Sequence, residues 1–315
     1  MALTFNELNA LTEVYWADKN ATDIFFQGNI LLYKLMGGET GTKLVSGGKT
    51  IDVPLEYDEL PGQSFNASTT FNTTKKEVFN KAQFPWAAYQ SSIVYDLDDN
   101  RANSGEAAIV DIVEAKLRNA QKTLRKLMAE GLYGSAATPG KDMIGLGDLF
   151  DTTPTTAYGG IQEADMAAWA ANADSTAEAI TFAVLQGMRR AASIDDDMEG
   201  KPNLYVTTEL LKDAFEASLH QQARYSNAKL VEAGFDNILF GGQPVVADNK
   251  VAAGTCYGLN LNFLDIMTHT DYNFPMPVWD NALATPETQV AYAKWSGNLI
   301  CKNRKAHTVH TALTA

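Results

Sequence analysis

The side chains in this chain best suited to chemistry are four histidines, two cysteines and one acidic run. Their spacing fits no catalytic or metal-binding pattern. His307 and His310 lie three apart in a segment that reads as a strand, which sends their side chains to opposite faces. That is poor geometry for a shared ion. Cys256 and Cys301 form neither a CxxC pair nor a disulfide framework, and suit a reducing compartment. The run Asp195-Asp196-Asp197-Met198-Glu199-Gly200 places glycine at the sixth position of a calcium loop. However, Glu199 stands where Asp or Asn is needed, and Val206 takes the twelfth position in place of Glu, so the run reads as a solvated loop.

Two phosphate-loop lookalikes fail in the same way. Gly48-Lys49-Thr50 has its upstream glycine at Gly41, two residues too far away, and leads into a strand pattern. Gly140-Lys141 follows Gly134 with one residue too many, and Asp142 replaces the Ser or Thr that would hold Mg²⁺. The chain has no GxSxG elbow, HExxH pair or Cys–His arrangement. The expectation is a protein that is not an enzyme, with no catalytic, cofactor-binding or metal-binding residues and no cofactor.

Composition sharpens this. The 315 residues are 45% hydrophobic and 20% charged, within the globular range. A net charge of −13 disfavours electrostatic binding to DNA. The start of the chain lacks the basic region and uninterrupted apolar core of a secretory signal, and no apolar run approaches the ~20 residues of a membrane span.

The elements that must position any site are legible from periodicity. Residues 4–36 carry Phe5, Leu8, Trp16, Phe25 and Leu31 among polar residues, which predicts some helix broken at Gly28 and Gly37-Gly38. Either its own core or a partner subunit must cover so apolar a segment. Ile51, Val53, Leu55 and Tyr57 alternate with polar residues and Pro54, which reads as an edge or bulged strand. A second β-prone stretch, Val78 to Leu97, completes a long two-stranded excursion with no evident core of its own.

Ser104 as cap and Ile109, Val113, Leu117, Ala120, Leu124 and Leu127 at helical spacing predict a helix over 104–130, about 40 Å long and ended by Gly131. Its basic face reads as solvated or salt-bridged. Further helices are expected over about 176–193 and 207–220, capped by Thr207 or Thr208, with a strand at Leu204-Tyr205-Val206 between them. Strands follow at 244–247, 255–258, 263–268, 289–295 and 299–311. The class is α+β without a βαβ rhythm.

Several phrases, in their order, resemble one branch of the tailed-bacteriophage major capsid proteins of the HK-97-like fold. They are Gly48-Lys49-Thr50-Ile51-Asp52-Val53-Pro54-Leu55, Ser104-Gly105-Glu106-Ala107, Asp142-Met143-Ile144-Gly145-Leu146 and Tyr158-Gly159-Gly160-Ile161 with Trp169. Gly241-Gly242-Gln243-Pro244-Val245-Val246-Ala247-Asp248 followed by Ala253-Gly254-Thr255 completes the series, and the resemblance spans roughly residues 30–310.

The resemblance implies an N-terminal arm over 1–47 and an extended loop (β-hairpin) over 48–98. It implies a peripheral domain with a spine helix over 99–137, an axial domain over 138–262, peripheral return strands over 263–305 and a C-terminal strand or tail over 306–315. Inter-subunit contacts are then expected at Phe5, Trp16, Phe25, Leu55, Tyr57, Phe65, Phe71, Phe79 and Trp86, and domain tips at Arg224, Lys229, Trp279 and Asp280. The implied function is self-assembly into pentamers and hexamers of an icosahedral or prolate shell around double-stranded DNA. The implied partners are copies of itself, a separate scaffolding protein and the portal, with weak non-specific DNA contact and no membrane. The implied location is the virion, after assembly in the host cytoplasm. An encapsulin-type nanocompartment shares the fold and stays open as an alternative; a stand-alone hydrolase would need a polar pocket with convergent titrating groups.

Overall fold

The computed structural model describes residues 29–37, 43–66, 69–96, 112–192, 200–219, 237–275, 279–282 and 285–315. The elements in chain order begin with α1 (Ile30–Gly37), β1 (Lys43–Val45), β2 (Thr50–Glu56), β3 (Phe79–Pro85), β4 (Ala87–Asp96) and α2 (Ile112–Tyr133). They continue with α3 (Leu146–Leu149), β5 (Ala157–Tyr158), β6 (Ile161–Gln162), β7 (Ala173–Asp174), β8 (Glu178–Ala179) and α4 (Phe182–Ala191). Then come β9 (Leu204–Thr207), α5 (Glu209–Ser218), β10 (Asn237–Phe240), β11 (Gln243–Ala247) and β12 (Cys256–Leu259). The chain closes with β13 (Leu264–Asn273), β14 (Trp279–Ala282), β15 (Thr285–Cys301), β16 (Thr308–His310) and β17 (Leu313–Thr314). Among the described residues no helix is long and apolar enough to cross a membrane.

Two sheets organise the chain. The first joins β1, β13, β15 and β14 in that order, with β4 also along β15. The second runs β10-β11-β9-β12-β16-β7. One core spans both, from Ile30, Leu31 and Leu35 of α1 through Met128 and Leu132 of α2 to Trp295 and Leu299 of β15. A separate cluster seats α4 and α5 on the second sheet through Leu185, Leu211, Phe215 and Phe240. The first sheet rests on α2 through Ile93, Ala120, Leu124 and Ala293.

The α+β class stands, with helices and strands interleaved as expected. The Thr208 hydroxyl caps α5, accepting from the Leu211 N–H, at one of the two expected positions. The strand at 204–207 is present, and Pro54 sits on β2, which pairs with β3 alone.

Three expectations need correction. The helix ending at Gly131 runs on to Tyr133. Gly131 marks a close approach, since a Cβ there would lie 2.5 Å from the Tyr89 hydroxyl, and buried Leu132 holds the last turn in the core. Residues 104–111, with the expected cap, lie outside the described residues.

The helix expected from 176 starts at Phe182, capped by Thr181. Residues 173–179 are recruited as β7 and β8 by β16 and β17, more than a hundred residues along the chain. The excursion's second strand divides at Trp86: β3 pairs β2 over Thr50–Glu56, whereas β4 pairs β15 over ten residues. Within the mixed second sheet β9 and β11 pair in parallel, as do β7 and β16, which leaves the α+β class as expected.

The turn leading into α3 is tightly packed. A Cβ on Gly145 would collide with the carbonyl oxygens of Gly131 and Gly134. Those atoms are backbone and cannot swing away. Gly145→Ala is therefore expected to cost about 2–3 kcal/mol, seen as a lower urea midpoint at unchanged slope.

Candidate assembly surfaces

The β2–β3 hairpin has a buried base and an exposed tip. At the base, Ile51, Val53, Leu55, Ala82 and Phe84 join the main core. Phe84 meets Tyr158 edge-on at 5.3 Å, and the Gln83 N–H donates to the Gly159 carbonyl at 2.8 Å. The hairpin was expected to lack a core of its own; its base has one, because β5 and β6 of the same chain lie against it. On the solvent side Asp52 accepts from Lys81, Gln83 and Thr50, contacts that hold its carboxyl below the usual range.

Beyond the Tyr57 N–H···Val78 carbonyl bond the chain opens into the tip. Its backbone is tied by polar contacts: Lys76 pairs with Asp58 at 2.7 Å and donates to the Glu59 carbonyl, and Gln63 donates to the Thr70 carbonyl. These ties leave apolar side chains outside. Leu60, Phe65, Phe71 and Phe79 are 69%, 72%, 59% and 71% exposed. The Phe65 and Phe71 rings lie 5.5 Å apart. A cluster of large apolar groups on an outlying loop is the mark of a protein-contact surface.

The other named residues fall differently. Leu55 is buried in its own chain, and Tyr57 and Trp86 are half-buried against the same core. The Trp86 indole donates to the Gly48 carbonyl at 2.9 Å. Trp279 and Asp280 are on β14, opposite Ala291 and Val290 of β15. Phe5, Trp16, Phe25, Arg224 and Lys229, and the acidic run at 195–199, lie outside the described residues.

Sequence reasoning gave no role to Arg304, which lies between Lys302 and Lys305. It is 2% exposed. Its guanidinium donates twice to the Leu149 carbonyl, at 3.0 and 2.7 Å, and once each to those of Trp169 and Asp151, at 2.9 and 3.0 Å. It also lies 5.0 Å over the Tyr158 ring. Burial lowers its pKa. Lys302 instead pairs with buried Asp265 at 2.5 Å, which Lys43 also reaches at 2.7 Å.

Nothing at the described cysteines suggests reactivity: burial pushes both Cys256 and Cys301 up to about 12. A cleft of about 270 Å³ between α3 and β7 has Asp174 and Tyr257 as its ionisable lining groups. Burial raises the Tyr257 phenol, so the pair offers no activated nucleophile. Glu178 and His310 come close to Asp174, an arrangement that sequence spacing could not reveal.

His307 is fully buried, and burial alone pushes its imidazole from an ordinary 6.5 down to about 3. Its Nδ1 accepts from the Asn260 N–H at 3.1 Å, so the neutral ring carries its proton on Nε2. The unfolded chain takes up a proton near 6.5 while the folded chain refuses it until about 3. The stabilisation is thus complete above 6.5 and lost as pH falls. At up to ~1.4 kcal/mol per pH unit it removes about 2 kcal/mol between neutrality and pH ~5. Urea unfolding of the wild type and of His307→Asn at these two pH values should show a smaller acid loss in the variant.

No protein-family model matches the sequence, and no curated protein sequence matches it. Solved structures do match along nearly the whole chain. A capsid subunit of cyanophage A-1(L) superposes with a TM-score of 0.74 at 15% identity, covering 100% of this chain and 99% of that one. The holo-SrpI encapsulin complex from Synechococcus elongatus PCC 7942 gives 0.64 at 12% identity, with 99% and 96% covered. The capsid of an empty GTA particle gives 0.62 at 13% identity, with 95% of each covered. At such identities the likeness speaks for architecture. The chain has the HK-97-like fold of these shell subunits.

Proposed function

We propose that this chain is a shell-forming subunit, the major capsid protein of a tailed bacteriophage, whose work is assembly with copies of itself. The observation that carries the reading is the hairpin tip, with Phe65 and Phe71 displayed on a scaffold whose full length matches shell subunits. In this reading the tip lies on the next subunit, residues 1–47 form an arm crossing a subunit boundary, the axial-domain part near 224–229 meets its copies around capsomer axes, and the part near 279–280 is the tip of the peripheral domain. Phe5, Trp16 and Phe25 of the arm contribute contacts, as does Phe79 beside the tip. Pentamers and hexamers close around double-stranded DNA, with a separate scaffolding protein and a portal as partners. The product is a virion shell assembled in the host cytoplasm, without catalysis or cofactor.

The encapsulin likeness supports a second reading, a nanocompartment enclosing a cargo protein. The contents decide between them. Particles isolated from their native source should hold nuclease-protected double-stranded DNA; a co-purifying folded enzyme in place of DNA would favour the compartment.

Charge makes a further prediction. Subunits of net charge −13 repel one another, and salt screens that repulsion within a Debye length of about 10 Å at ~0.1 M. Particle yield by light scattering should rise from low to moderate salt. A monotonic fall over that range would contradict the charge argument.

A further inference from the structure

Three side chains with metal-binding chemistry converge where the C-terminal strands meet β7 and β8. Asp174, Glu178 and His310 each bring one ligand-capable atom to within 4.8 Å of the others. The backbone dictates this meeting. β16 runs parallel to β7 with His310 opposite Asp174, and β17 runs parallel to β8 with Leu313 opposite Glu178.

The burial is uneven in a useful way. His310 is 1% exposed, whereas both carboxylates are on the surface. The His310 Nε2 lies 3.0 Å from Glu178 Oε1, and Nδ1 is buried without a hydrogen-bond partner. Asp174 is fixed by one oxygen, Oδ1, which accepts from the Thr176 N–H at 2.8 Å. That contact, with further ones to Thr176 and Ser175, keeps its carboxyl below the usual range.

We propose that Asp174, Glu178 and His310 form a site for a first-row divalent ion such as Zn²⁺, which would clasp the C-terminal strands to the edge of the second sheet. The imidazole nitrogen selects such ions over Ca²⁺ and Mg²⁺. Three protein ligands leave a fourth position for water. Ligands around tetrahedral zinc stand roughly 3.3–3.5 Å apart. The His310–Glu178 pair is already near that separation, and the second oxygen of exposed Asp174, the one not held by the Thr176 N–H, would close the remaining distance. The site would join β7, β8 and β16, which belong to two different sheets. It does not depend on the shell reading.

The test is calorimetric titration of the chelator-dialysed full-length protein with ZnCl₂. One saturable site per chain is expected, weakened about tenfold or more by Glu178→Gln or His310→Gln. His269→Gln, removing a ring 4.0 Å from Asp271, should leave it unchanged. Hydrogen exchange at residues 308–314 should slow when Zn²⁺ is present and recover with chelator. Because His310 is buried, its variant could fail to fold, and the exposed Asp174→Asn then decides. No saturable binding at roughly millimolar Zn²⁺ would overturn the proposal. So would affinity unchanged in Glu178→Gln and Asp174→Asn.

Discussion

Replacing Phe65 and Phe71 together by serine is expected to leave the subunit folded and to stop it assembling. Both rings are exposed, at 72% and 59%, and neither belongs to the chain's own core, so subunit stability should move by no more than ~0.5 kcal/mol. Assembly should respond very differently. Burying the exposed part of two phenylalanine rings stabilises a contact by about 5 kcal/mol, which amounts to three to four orders of magnitude in each association step. Size exclusion with light scattering should shift from particles to monomers or small oligomers. The double change to leucine should retain assembly. Particles formed by the serine variant at wild-type yield would show that the tip is not a subunit contact.

The second large effect is internal. Arg304→Met should destabilise the fold by roughly 3–5 kcal/mol, a buried-network loss. The guanidinium holds the carbonyls of Leu149, Asp151 and Trp169 together from the start of the turn that leads into β16. Methionine fills the volume but leaves three carbonyls without that donor. Arg304→Lys should rescue little, since an ammonium cannot reproduce the planar fork. Urea unfolding is best read in the Phe65→Ser/Phe71→Ser background, where assembly cannot mask subunit stability. Neither tip ring belongs to the core that includes Leu149, Tyr158 and Trp169, so the two effects should add. A loss under about 1 kcal/mol would show that water replaces the guanidinium adequately.

Which parts were legible in the sequence follows from how local their causes are. The period-two alternation of β2 came through because its buried face, Ile51, Val53 and Leu55, is written in consecutive residues. The α5 cap was legible for the same reason: Thr208 bonds an amide three residues on. By contrast, β7 and β8 exist because β16 and β17 pair with them, and residues 173–179 carry no local trace of that partner. Arg304 was opaque because a basic residue between Lys302 and Lys305 looks solvated until the fold closes over it. The hairpin was half legible: its strands showed, but the division into a buried base and an exposed tip depends on Tyr158 and Gly159, which pack on it from elsewhere. The convergence of Asp174, Glu178 and His310 is likewise a product of strand pairing.

The central claim is that this chain builds closed shells from copies of itself. Electron cryo-microscopy of the full-length protein, expressed alone and with its neighbouring gene, tests it most directly. The account predicts closed particles of five- and six-membered capsomers, with residues 57–78 of each subunit lying across the next. A protein that stays monomeric at every salt concentration, even with the neighbouring gene co-expressed, would contradict it.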